Sequence, residues 1–238
     1  LTLVTGAAGF IGSNVARAYA NDGLQVVACD RMRQGVKWRN LADIPLYGLI
    51  LPETLPEWLT RHRNMVELVV HMGAVSATTE TDVDRIVQEN VRTTLDLWQW
   101  CTENRVPFIY ASSAATYGDG AAGFLDDDRP ASLARLRPMN AYGWSKHLVD
   151  RRIMADVTAG RPSPPSWTGL KFFNVYGPGE QHKGEMRSVV NKIIPIVQAG
   201  EAVKLFRSYR PDYPNGGQMR DFVYVDDVVA VIRWLASQ

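Results

Sequence analysis

The first thirty residues most constrain how this chain can fold. LTLVTGAAGFIGSNVARAYANDG opens on a short apolar run at residues 1–5, then passes through Gly6, Gly9 and Gly12 into a segment of helical period from Phe10 to about residue 20. QVVACD, residues 25–30, is a second apolar run that ends in an acid, Asp30. A strand, a glycine turn opening a helix, and a strand-end acid predict a dinucleotide-binding βαβ unit. The glycines allow a tight turn, close approach of backbone N–H groups to a pyrophosphate, and close packing of helix on strand. The helix N-terminus then attracts the anion. A glycine trio alone is weak evidence, and these flanks make it strong.

Asp30 suits the adenosine ribose hydroxyls of NAD, whereas Arg31 and Lys37 just beyond it suit the 2′-phosphate of NADP. Arg31, Arg33, Lys37 and Arg39 read equally well as a solvated loop, so the sequence leans to NADP with NAD still open.

Downstream, strands and helices alternate almost throughout. Strands are expected at residues 47–51, 67–71, 107–111, 170–174, 203–206 and 221–225, and helices at 56–63, 82–104, 186–198 and 226–238. The predicted class is α/β, a Rossmann-type doubly wound parallel sheet. Residues 1–170 form the dinucleotide-binding domain, and 171–238 a mixed segment with substrate loops and a returning strand and helix. Met72, Gly73, Ala74, Val75 and Ser76 form a small-residue loop that can pass close beneath a cofactor. Asn90 falls near the apolar stripe of the long helix and needs a polar partner, for which cofactor-side backbone is the expectation. His71 reads as a packed strand-end histidine and not as a base.

The chemistry concentrates between residues 110 and 146. YASSAATYG places Ser112 and Ser113 at the end of a buried strand, and NAYGWSK sets Tyr142 and Lys146 four apart on one helix face. Free tyrosine has a pKa near ~10, so about one molecule in a thousand is ionised at neutral pH. An ammonium one turn away favours the phenolate, and a facing hydroxyl can hold the alcohol to be deprotonated. Such a set is suited to hydride transfer with a nicotinamide. An aromatic anchor beside a surface charge is the plain alternative for this pair, and the serines and the glycine turn weigh against it.

Composition excludes other classes. A net charge of +1 over 238 residues, with no basic run, argues against phosphate-driven nucleic-acid binding. No stretch approaches a membrane span. Cys29 and Cys101 fit small core residues in a reducing compartment, so the expected location is the cytoplasm. The four histidines lack ligand spacing, and no metal site is expected.

TGAAGFIG, ASSAATYG and YGWSK together resemble the extended short-chain dehydrogenase/reductase family, the NAD-dependent epimerases and dehydratases of nucleotide sugars. HMGAVSATTE, FFNVYGPGEQHKG and KLF…MRDFVYVDD narrow the resemblance to the ADP-heptose 6-epimerases of lipopolysaccharide-core synthesis, over almost the whole chain. The resemblance implies an isomerase with tightly bound NADP that inverts C6″ of ADP-D-glycero-D-manno-heptose. It implies a cofactor site of Gly6, Gly9, Phe10, Ile11, Gly12, Asp30, Arg31, Lys37, Met72 to Ser76, Asn90, Lys146 and Val175. Two bases, Tyr142 and Lys183, would serve the two epimers, with Lys146 and Ser113 assisting Tyr142. Asn174, Glu185, Phe206, Ser208 and Arg220 would hold the ADP-heptose.

The chain departs from the pattern at three points: Arg31 replaces an asparagine, Met72 replaces a glutamate of some members, and no second lysine appears near residues 51–54. The chain also starts on a strand and stops at Gln238, about a quarter short of an enzyme of this kind, so a fragment with a truncated substrate-binding portion is expected. Expected partners are the ADP-heptose substrate and further copies of the chain, with no nucleic acid and no membrane.

Two alternatives remain. A UDP-sugar 4-epimerase would use Tyr142 alone and have no need of Lys183. A non-catalytic dinucleotide sensor would need no matched acid/base set. A 4,6-dehydratase is disfavoured, because Ala114 and Ala115 stand where that chemistry wants an acid pair.

Overall fold

The computed structural model describes residues 1–209 and 211–238. Six parallel strands form one sheet in the order β3-β2-β1-β4-β5-β6: β1 Thr2–Thr5, β2 Val26–Cys29, β3 Gly48–Ile50, β4 Leu68–His71, β5 Phe108–Ser113 and β6 Trp167–Phe172. From β1 the chain steps outward through β2 and β3, then crosses to β4 on the other side of β1. Connections therefore diverge beyond the carboxyl ends of β1 and β4, which leaves a crevice there. A second, two-stranded parallel sheet pairs β7, Asn174–Tyr176, with β8, Phe222–Tyr224.

The central strands read as continuous apolar runs because both faces of the sheet are covered. On one face Val4, Val26, Ala28 and Val70 pack with Val15, Ala16 and Tyr19 of α1 (Phe10–Asn21). The helix that ends the chain lays Val228, Val229 and Ile232 on the same layer. On the other face Leu3, Val27, Val69 and Phe108 meet Leu59 of α2 (Leu55–His62). The long helical segment comprises α3 (Val83–Ile86), a π turn over Val87–Arg92 and α4 (Thr93–Asn104), and α4 adds Leu97 and Trp98 to that layer. A one-turn helix, α5 (Pro130–Leu133), precedes α6 (Ala141–Thr158), whose Val149 and Ile153 complete it. Two further helices follow, α7 (Val189–Gln198) and the terminal α8 (Val225–Ala236). No helix among the described residues is long and apolar enough to cross a membrane.

Three expectations change. The strand at 203–206 does not form: residues 201–208 have no regular structure, and β8 takes the available partner, β7. The single strand expected at 170–174 is two pieces, one in each sheet, separated at Phe173. The helix expected from Met186 starts at Val189, because residues 181–186 form a tighter turn and Ser188 caps the helix at the Asn191 N–H (3.1 Å).

Candidate active site

The glycine turn closes on the crevice from one side. Gly6 has φ +63°, and a Cβ there would come within 2.7 Å of the Gly73 Cα, so the turn lies directly on the loop after β4. No side chain caps the N-terminus of α1, which leaves its first N–H groups open to an anion. Asp30 is buried at the end of β2, where it accepts from the Ala8 N–H (2.8 Å) and the Lys37 ammonium (2.5 Å). An uncapped helix start, a strand-end carboxylate and a close-packed glycine turn fit a dinucleotide: diphosphate at the helix, ribose at Asp30. Arg31 departs from its expected role. Its guanidinium pairs with Glu53 (2.5 Å) and Glu89 (3.3 Å), so its charge is already met by carboxylates in the region where a second lysine was sought.

Asn90 finds the backbone partner expected of it, in the small-residue loop. It is 0% exposed in the π turn, donates to the Val75 carbonyl (3.0 Å) and Ser145 Oγ (3.0 Å), and accepts from the Val75 N–H (2.7 Å). Through these bonds Asn90 ties the small-residue loop to α6. The Val175 side chain likewise packs into the core beside α8. His71 is the packed histidine expected: it bonds Thr5 Oγ1 (2.6 Å) and Thr94 Oγ1 (2.9 Å), and burial pushes its pKa down to about 3.

Tyr142 and Ser113 do meet. Asn140 caps α6 by accepting from the Gly143 N–H (2.8 Å), and Gly143 lets the helix start press on the turn after β5. A Cβ at Gly143 would lie 2.7 Å from the Ala115 carbonyl oxygen. Burial raises the Tyr142 pKa, and a hydrogen bond with Ser113 draws it back. Lys146 stands one turn further along the same helix. Its buried Nζ donates to the Ala111 carbonyl (2.7 Å), and burial brings its pKa down to about 8 against the opposing pull of Asp150.

Asp150 was missed in the sequence, although it stands one helical turn beyond Lys146 and so on the same face. It accepts from Tyr110 Oη (3.0 Å), Ser112 Oγ (2.6 Å) and Lys171 Nζ (2.5 Å), a saturated buried carboxylate between two lysines.

Lys183 lies over the Phe10 ring, 4.7 Å from its centroid, and burial lowers its pKa while Glu180 raises it. Its loop is fastened to the nucleotide half. Asn14 donates to the Pro178 carbonyl (3.0 Å), and Asn40 donates to those of Gly179 (3.1 Å) and Ala8 (3.0 Å). Glu180, Asn14 and Asn40 carry no local pattern that marks them in advance.

The remaining sugar-side residues come from elements other than α6. Glu185 is exposed and pairs with Lys192, and Asn174 donates to the Asp221 carbonyl (2.9 Å). Phe206, 74% exposed, and Ser208 and Arg220 lie in 201–221, where the described residues contain no helix or strand.

Comparison with known proteins agrees with this geometry. Over 238 residues the chain is 42% identical to the ADP-L-glycero-D-manno-heptose-6-epimerase of Fusobacterium nucleatum, covering 99% of this chain and 70% of that protein. It is 45% identical over 237 residues to the protein of the same name from Nitratidesulfovibrio vulgaris, covering 98% of this chain and 71% of that one. The crystal structure of the Helicobacter pylori ADP-L-glycero-D-manno-heptose-6-epimerase superposes with a TM-score of 0.79 at 29% identity, over 99% of this chain and 72% of that chain. Residues 2–238 match one family throughout, and the chain therefore belongs to the NAD dependent epimerase/dehydratase family.

Proposed function

We infer that the chain is an isomerase that interconverts the C6″ epimers of ADP-glycero-manno-heptose, a precursor of the lipopolysaccharide inner core. The observation that carries this reading is the 42–45% identity, over 98–99% of the chain, to proteins of that name. A bound nicotinamide would supply the hydride acceptor and donor for C6″. Because the reacting oxygen occupies a different place in each epimer, each place needs its own acid/base group within about 3 Å. Tyr142 Oη exchanges the proton for one epimer, with Ser113 orienting the alcohol and Lys146 holding a positive charge beneath. Lys183 Nζ exchanges it for the other.

A UDP-sugar 4-epimerase that works through Tyr142 alone has no use for a lysine seated over Phe10, which favours the two-base reading. We propose NADP as the cofactor, supported by Lys37, whose ammonium sits on Asp30; Arg31 stands next to it but is paired with Glu53 and Glu89. The proposed site of action is the cytoplasm. Asn174, Glu185, Phe206, Ser208 and Arg220 are proposed as the nucleotide-sugar contacts, with Arg220 a bidentate donor to the diphosphate.

The test is to incubate the protein with NADP and ADP-D-glycero-D-manno-heptose and resolve the two epimers, beside a Lys183→Met sample. Interconversion by the first and a loss of about a hundredfold in the second are expected. Full activity of Lys183→Met overturns the two-base assignment.

A further inference from the structure

Glu180 is 0% exposed, yet its carboxylate meets no cation within ion-pair distance among the described residues. Its three bonds all come from the two ends of one loop. Oε1 accepts from the Gly177 N–H (3.1 Å) and Ser188 Oγ (2.8 Å), and Oε2 accepts from the Ser188 N–H (2.6 Å). Lys183 lies between those ends. Keeping a buried carboxylate charged without a contacting cation is costly. An acceptor-only side chain does suit three donors, but the loop also carries Lys183, a half-buried ammonium over the Phe10 ring that calls for a counter-charge.

We propose that Glu180 is a positioning residue for Lys183: its carboxylate, bonded to both ends of loop 177–188, closes that loop around the lysine and stands as its counter-charge. The proposal rests on Lys183 being the second acid/base group. Such a group must give a proton as well as take one. Partial burial against Phe10 favours the neutral amine, and Glu180 opposes this. The other neighbour is His182 on the same loop, held by Asn40 (3.1 Å) and the Gly179 carbonyl (3.0 Å), and burial together with Lys37 and Lys183 keeps it neutral. It supplies no negative charge, so that task falls to Glu180.

The test needs no turnover. Acylation of Lys183 by an amine-reactive anhydride, followed by peptide mass spectrometry across pH, reads the fraction of neutral amine in wild type, Glu180→Gln and Ser188→Ala. Glu180→Gln is expected to move the Lys183 labelling curve to lower pH. Ser188→Ala, which loses one bond of the staple but keeps the charge, is expected to overlay the wild type. Coincident curves for Glu180→Gln and wild type, or an equal displacement in Ser188→Ala, overturn the proposal. If Glu180→Gln does not fold, wild type with ¹³C-labelled glutamate serves instead. The Glu180 Cδ resonance, assigned with Glu180→Asp, should inflect at the pH where Lys183 labels and lose that inflection in Lys183→Met. A flat resonance in wild type sinks the idea. Retained epimerisation by Lys183→Met defeats the two-base reading without touching the labelling result, so the two failures are distinguishable.

Discussion

Lys146 and Lys183 serve the two halves of the proposed chemistry and are held in opposite ways. Lys146 projects from the middle of α6, is 3% exposed, and rests on a strand carbonyl with a saturated carboxylate one turn away. Lys183 sits on a turn, covered by one aromatic ring and closed in by a carboxylate that grips only the ends of its own loop. The first lysine is placed by two regular elements and the apolar layer they share. A loop held by its own hydrogen bonds and by Asn14 and Asn40 places the second. Chemistry placed by periodic elements tolerates little change of backbone, whereas chemistry placed by a stapled loop can be lost without loss of the fold.

The sharpest way to break this comparison is to remove the reacting groups themselves. Tyr142→Phe deletes one hydroxyl on a helix whose packing it leaves alone, so kcat/KM for epimer interconversion should fall by about a thousandfold. The melting temperature should stay close to wild type, measured by circular dichroism alongside chromatographic separation of the epimers. A loss under tenfold would mean that Tyr142 is the aromatic anchor of the plain reading.

Stability should divide the same way. Phe108 is 0% exposed and stacks between His71 and Tyr110 with Trp98 at its edge. Phe108→Ala should cost about 3–5 kcal/mol in urea unfolding. Phe206→Ala, in the segment without regular structure, should change stability by no more than about 0.5 kcal/mol. A large cost at Phe206 would mean that residues 201–208 contribute to the packed core.

These regions also differ in how far the sequence revealed them. The glycine turn, the buried strands and the α6 face were legible because period and turn chemistry act over a few residues: Gly6 against Gly73 is a turn requirement, and Tyr142 with Lys146 a helical spacing. Asn90 was legible as a buried polar group in need of cofactor-side backbone, which Val75 supplies, but Ser145 as its other partner was not. Asp150 was within reach as the next position on the Lys146 face, yet its donors Tyr110 and Lys171 come from two different strands. The strand read at 203–206 failed because apolar alternation says nothing about whether a neighbour is there to pair with. Glu180 was invisible, since only the closed loop brings Gly177 and Ser188 to one carboxylate.

A smaller effect concerns pH, where activity and stability should move in opposite directions. Burial lowers Lys146 from the usual lysine value near ~10.4 to about 8. Between those values the unfolded chain binds more protons than the folded one, so the Lys146 contribution makes stability rise as pH climbs through that window. Below pH ~8 the cost of the buried ammonium is fully present. If that ammonium supports the Tyr142 phenolate, kcat/KM declines over the same window. Asp150→Asn should move the alkaline limb of kcat/KM to lower pH, because Asp150 is what holds the lysine up. An alkaline limb that stays in place in that variant would show that Lys146 does not set it.

The smallest expected change lies at the adenosine end, where Arg31 spends its charge on Glu53 and Glu89. Both Arg31 and Glu53 reach solvent, so water and salt screen their pairing and one acid can be neutralised without disturbing the fold. Glu53→Gln leaves Glu89 as the remaining acidic partner and frees part of the guanidinium. A 2′-phosphate then meets less competition, and NADP affinity by fluorescence titration should rise about two- to fivefold. NAD, which lacks the phosphate, should bind as before. A ratio of NADP to NAD affinity that does not move would place Arg31 off the 2′-phosphate and leave Lys37, on Asp30, as the cation that reads it.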